Sequence, residues 1–157
     1  MARRVYFAFH YQRDIWRVNQ VRHAWVTKED IEEAGYIDAA EFEKVERQGE
    51  EAIKRWIDKQ LEGTSVTVVL IGSKTAEREY VQYEINKSWN RGNGLIGIYI
   101  HDLKDQNGNT DYKGADPFVK LGYKGIRTYD WISDNGYNNL SEWIEAAYQR
   151  AQNRQKQ

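Results

Sequence analysis

The chain has 157 residues, no cysteine, and 23 basic against 24 acidic side chains. That length sets one domain with room for a proper core. The charge balance offers no electrostatic case for nucleic acid or an anionic membrane surface, and the lack of cysteine removes disulfides, thiol nucleophiles and thiolate metal sites.

Apolar runs are strand-sized, well short of the roughly 20 residues a membrane span needs. Met-Ala-Arg-Arg leads into no apolar signal-peptide core, so a cytoplasmic protein is expected. Val5-Tyr6-Phe7-Ala8-Phe9 is apolar and aromatic and reads as a central strand. A polar loop follows, then a helix over about 14–24 spaced by Ile15, Val18, Arg22 and Trp25. Trp25-Val26-Thr27 reads as a short strand, and 28–43 as a charged connection turning at Gly35-Tyr36-Ile37-Asp38. Val45, Ala52, Ile53, Trp56, Ile57 and Leu61 then recur at helical spacing, with Gly63 as the stop.

The most informative stretch comes next. Val66-Thr67-Val68-Val69-Leu70-Ile71 is a β-branched apolar run and reads as a buried strand. Gly72 and Ser73 end it. In the helix that follows, Val81, Ile85 and Trp89 fall four apart and make one side apolar. Glu84 sits one position off that stripe, at the margin of the buried face and near the carboxyl end of a buried strand. Ligands bind at such ends in open α/β sheets. Most helical glutamates are solvated, however, so spacing alone assigns Glu84 no role.

Asn90 to Gly94 is a turn cluster, and Leu95 to Ile100 another buried strand ending in His101-Asp102. Residues 104–114 read as a long surface loop, extended by Asp116-Pro117; loops this long are often functional. Ile126 to Trp131 alternates like an edge strand. Asn139-Leu140-Ser141-Glu142 has the form of a capping box. Leu140, Trp143, Ile144, Ala147, Tyr148 and Ala151 mark the closing helix. The expected organisation is one domain over 1–151 with a frayed, Gln-rich tail over 152–157. Strand and helix alternation predicts a flavodoxin-like, three-layer α/β fold. Its mostly parallel sheet has about five strands in the order 2-1-3-4-5, with helices on both faces.

Several chemistries have no signature. No G-x-G-x-x-G follows the first strand, no Walker A sequence occurs, and the acidic cluster of a phospho-acceptor domain is missing. Ser73, His10 and Asp102 form no nucleophile elbow. His10, His101 and Asp102 lie near predicted strand ends, but without paired-histidine spacing they define no ligand set, so no metal is expected. Trp56, Trp89 and Trp143 fit core stripes. Phe9 and Tyr11 are better placed to stack on a flat ring, and Tyr80, one turn before Glu84, lines a pocket or covers the core.

The strand, Ser73, and Tyr80-Val81-x-x-Glu84 together resemble the TIR domain family, whose usual pattern is an apolar strand, a serine, then aromatic-cysteine-x-x-glutamate. Valine stands here in the cysteine position. Phe9-His10-Tyr11 and Trp16-Arg17-Val18-Asn19-Gln20-Val21-Arg22 bring the chain closer to the ThsB TIR-like proteins of bacterial Thoeris antiphage defence. The resemblance implies a catalytic Glu84, with Phe9, His10, Tyr11, Ser73 and Tyr80 around the nucleotide. It implies cleavage of NAD as a substrate, with no separate cofactor, to give a cyclic ADP-ribose isomer. That product would act as a messenger for a separate effector protein. It further implies self-assembly of TIR protomers and activation on phage infection. Two alternatives stay open: a non-catalytic TIR scaffold, and an N-glycosidic enzyme of the nucleoside deoxyribosyltransferase kind.

Overall fold

The structure is a computed structural model, and it describes residues 2–37 and 39–156, without the side chain of Ala39. Asp38, the last residue of the expected turn, lies outside the described residues. Five strands, β1 (Arg3–Ala8), β2 (Ile31–Ala34), β3 (Val66–Ile71), β4 (Gly94–Tyr99) and β5 (Arg127–Asp130), form one sheet in the order β2-β1-β3-β4-β5. Every pairing is parallel, with Tyr6 beside Thr67 and Val68 beside Ile96. Strands β3 and β4 are buried along their whole length, as continuous apolar runs in a parallel sheet require.

Helices α1 (Tyr11–Trp25), α2 (Ala39–Arg47), α3 (Glu50–Leu61), α4 (Glu79–Asn90), α5 (Pro117–Lys120) and α6 (Gly136–Gln155) complete the chain. Alternation along β1 divides the core. Val5, Phe7 and Phe9 point to the layer of α1 and α6. Tyr6 and Ala8 point to the layer of α3 and α4. On the first side Phe7 stacks flat on Trp25, ring centroids 3.9 Å apart.

Four elements differ from the sequence expectation. Trp25 ends α1 and takes no part in a strand; β2 begins at Ile31, where a charged run hides an edge strand. The second helix is two helices, parted at Gly49, whose φ of 97° no helical residue shares. The stretch 104–125 contains α5, started by Asp116, whose carboxylate accepts from the Phe118 and Val119 amides. Helix α6 begins at Gly136, before the expected capping box, and it runs into the expected tail as far as Gln155. There Gln155 Nε2 donates to the Gly92 carbonyl at 2.7 Å.

Candidate active site

Tyr6 projects from the middle of β1 into the α3–α4 layer and is fully buried. Glu84 reaches it from α4, where the neighbouring Val81 and Ile85 are also inaccessible. The Tyr6 hydroxyl donates to Glu84 Oε2. Glu84 is only 6% exposed, so it lies within the buried layer and not at its margin. Gly35, at φ 85°, closes over Tyr6; a Cβ there would press on the Tyr6 ring and the Phe7 carbonyl.

Burial drives the Glu84 pKa up to about 8, against the opposing pulls of the Tyr6 hydrogen bond and the Arg78 guanidinium. At pH 7 a group titrating there is protonated by about ten to one. Glu84 therefore stands as a neutral carboxylic acid in the folded chain. Tyr6 is raised as well, by burial first and then by Glu84.

The other expected residues divide into those drawn toward this region and those kept from it. His10 caps α1, its Nδ1 accepting from the Arg13 amide. Its pKa is lowered by burial and by Arg78, against the pull of the backbone hydrogen bond, with Arg13 adding to the lowering. Arg78 thus acts on both His10 and Glu84. It had no signal in the sequence beyond its position at the head of α4. Its guanidinium lies 5.0 Å from the Tyr80 ring centroid, and Tyr80 itself is half-buried against the same core layer. Phe9 has the parity of Val5 and Phe7 and joins the α1–α6 core, on the sheet face away from Tyr6. Tyr11 stacks on Phe42 of α2, with centroids 4.1 Å apart.

Ser73 follows β3 and is held from two sides. Arg13 Nε donates to its hydroxyl oxygen at 3.0 Å, and that hydroxyl donates to Asp111 Oδ2 at 2.7 Å. Asp111 also accepts from Arg13 Nη2 at 2.8 Å. These bonds hold the Asp111 pKa down at about 2, although partial burial pulls the other way. The segment after β4 is thereby strapped across the carboxyl end of the sheet. Arg17 fixes it further, donating to the carbonyls of Leu103 at 2.7 Å and Asn109 at 3.0 Å. At the strap's far end Gly114 touches the turn so closely that a Cβ would fall on the Gly72 carbonyl oxygen. Beneath the strap is Asp14, fully buried and 3.7 Å from Arg17 Nη1. Burial raises its pKa to about 6 despite Arg17 and Arg13.

Among the described residues, the metal-ligand types cluster once, at His101, Asp102 and Asp130, whose ligand atoms lie within 4.8 Å of one another. His10 is not part of that group. Asp130 Oδ1 already accepts from the amides of Ile132 and Ser133, and His101 Nε2 is 3.2 Å from Asp102 Oδ1. Turn capping and a His–Asp contact engage these atoms, while His101 Nδ1 is buried without a hydrogen-bond partner among the described residues.

Residues 6–105, from Tyr6 through Glu84 to the strap, match the family described as Thoeris protein ThsB, TIR-like domain. The chain belongs to this family. A relative in Bacillus cereus (strain MSX-D12), named for cyclic ADP-D-ribose synthesis as ThsB1, is 38% identical over 191 residues, covering 92% of this chain and 100% of the relative. The ThsB-like domain described here places Tyr6, Glu84, His10, Ser73 and Arg78 along one side and the carboxyl end of a parallel sheet. Phe9 and Tyr11 are packed elsewhere.

Proposed function

We propose that this ThsB-like chain cleaves the nicotinamide–ribose bond of NAD and closes the ADP-ribose portion into a cyclic isomer. The observation that carries the reading is the near full-length similarity to a relative named for cyclic ADP-D-ribose synthesis. It is supported by Glu84, the glutamate that the resemblance to TIR domains makes catalytic, which accepts a buried hydrogen bond from Tyr6. The cyclic product would be a messenger of antiphage defence, activating a separate effector. The trigger would be a phage-derived signal, and the active form a self-assembly of TIR protomers in the cytoplasm. No helix among the described residues is long and apolar enough to cross a membrane.

Nicotinamide is bound in NAD as a cation and leaves as a neutral ring, its nitrogen keeping the electron pair of the broken bond. The demand on the protein is to stabilise the positive charge left on the ribose. Ionised Glu84 meets that demand. Before the substrate's charge arrives, burial keeps Glu84 neutral. Arrival of a cationic ring favours loss of its proton, so substrate binding and activation of Glu84 are one event. As the bond to nicotinamide breaks, an electron pair elsewhere on the same molecule forms the bond to the anomeric carbon. The proton shed by that group passes to the Glu84 carboxylate, so the one proton lost overall is the one Glu84 gave to solvent on binding. Water exclusion favours this closure over hydrolysis. His10, Ser73 and Tyr80 would bind the nucleotide; Phe9 and Tyr11 would serve by shaping the loop.

The test is NAD consumption by purified chain at rising protein concentration, wild type against Glu84→Gln. Loss of turnover in a folded variant is expected, and full turnover would remove Glu84 from the reaction. The near-complete burial of Glu84 favours one second reading, a TIR scaffold that assembles without turnover; NAD left intact at every protein concentration would select it.

A further inference from the structure

At the end of the sheet opposite Ser73, where β4 begins, a cavity of about 160 Å3 opens between α4, α6 and the segment before β5. Helix α6 descends directly on Gly94; a Cβ there would fall on the Ala147 carbonyl. The rim carries Lys124, Arg150 and Arg154, with Trp89 beside them, and among the described residues no carboxylate lines it. Three cations around one small cavity repel one another unless an anion joins them.

Arg78 aside, the two arginines differ from the other arginines withdrawn from solvent. Arg3, Arg17 and Arg22, similarly withdrawn from solvent, each meet a carboxylate: Glu145, Asp14 and Glu33. Arg154 lies 3.7 Å over the Trp89 ring and, among the described residues, donates to a carbonyl, that of Asn93 at 3.4 Å. Partial burial lowers its pKa. Arg150 Nη2 is sealed from solvent and donates to nothing among the described residues. Cations in the last turn of α6 answer the helix dipole, which accounts for Arg154. It does not account for burying an Arg150 N–H without an acceptor, an arrangement that is costly when nothing fills it.

We infer that this cavity is an anion site for a phosphate group, gripped by the forks of Arg150 and Arg154 with Lys124 at the mouth. The planar guanidinium matches phosphate oxygens two at a time. The volume is below the about 300–1,000 Å3 of sites that enclose a whole small molecule. The site therefore takes a phosphate, free or carried on a larger molecule whose remainder stays outside. It is separate from Glu84 and from the Ser73 turn. A bound phosphate joins the end of α6 to the start of β4.

The test uses inorganic phosphate, titrated into the full chain at constant ionic strength and followed by calorimetry and thermal unfolding. Saturable binding with a rise in Tm is expected, and Arg150→Met is expected to weaken it at least tenfold. Lys124→Gln, an exposed position, gives a smaller loss in the same direction and serves if Arg150→Met does not fold. Ribose 5-phosphate in place of phosphate identifies the source: tighter binding with the same dependence on Arg150 assigns a carried phosphate, and weaker binding the free ion. No saturable binding to the wild type, or equal binding by Arg150→Met, would overturn the site.

Discussion

The Tyr6 hydroxyl on β1 and the Glu84 carboxyl on α4 form a buried pair in which tyrosine is the donor. That bond pulls the Glu84 pKa down while burial pushes it up, and burial wins. The pair thus sets how readily Glu84 becomes an anion.

Tyr6→Phe removes the pull and leaves burial unopposed by it. The Glu84 pKa rises further, so the acid limb of the pH–rate profile for NAD consumption moves to higher pH. Activity at pH 7 falls, and part of it returns at higher pH. A loss of activity equal at every pH would mean that Tyr6 contributes shape alone. Leaving a buried carboxyl without its donor also costs about 1–3 kcal/mol of stability, readable by urea unfolding.

Glu84→Gln is expected to stabilise the chain. The folded pKa of about 8 lies above the ordinary value of 4.5. A group raised in this way contributes fully below about pH 4.5 and loses its contribution as pH rises toward 8. Wild type and Glu84→Gln should therefore have similar Tm values near pH 4.5. The variant should pull ahead by pH 8, on the order of a few kcal/mol. A wild-type chain whose stability relative to the variant does not change over that range would contradict the buried, neutral acid.

The sheet was legible because its signals are local. The run from Val66 to Ile71 has no polar break beyond Thr67, and the five-strand order follows from strand–helix alternation. Strand β2 was not, because Ile31-Glu32-Glu33-Ala34 is an edge strand whose two glutamates face Arg4 and Arg22. Glu84 and Ser73 stand out only through the resemblance of their strand, turn and helix to the TIR pattern, since spacing alone gives Glu84 no role. Tyr6 was hidden, since a tyrosine in an apolar strand reads as core until its hydroxyl partner, 78 positions away, is seen. The grouping of Phe9 with His10 missed the parity of β1, which turns Phe9 to the other sheet face. The long loop's order was also hidden: its anchors, Arg13 and Arg17, lie on α1, some 90 residues before the carbonyls and carboxylate they bind.

Arg17→Met should release the strap. It removes the donors to Leu103 and Asn109 and leaves Asp14 buried without its nearest cation. Breaking a buried ion pair on one side costs about 3–5 kcal/mol. Hydrogen exchange should accelerate through residues 103–111 before it does in β3 or β4. Unchanged exchange in that segment would show that Arg17 is not its anchor.

Asp111 has the opposite sign to Glu84. Its folded pKa of about 2 lies below the ordinary 3.8, so its stabilisation is present above about pH 3.8 and is lost as pH falls through 2. Asp111→Asn should flatten the acid side of the stability curve in that window. It should also loosen Ser73, raising KM for NAD more than it lowers kcat. An unaltered acid limb would contradict the Ser73–Asp111–Arg13 arrangement.

The most direct test of the central claim is mass spectrometry of NAD incubated with concentrated wild-type chain, with extracts of phage-challenged cells expressing it run in parallel. The account predicts free nicotinamide and a second product with the mass of ADP-ribose minus water, both absent with Glu84→Gln. Open-chain ADP-ribose as the sole product would make the chain a hydrolase and contradict ring closure. Intact NAD in both samples would contradict catalysis itself.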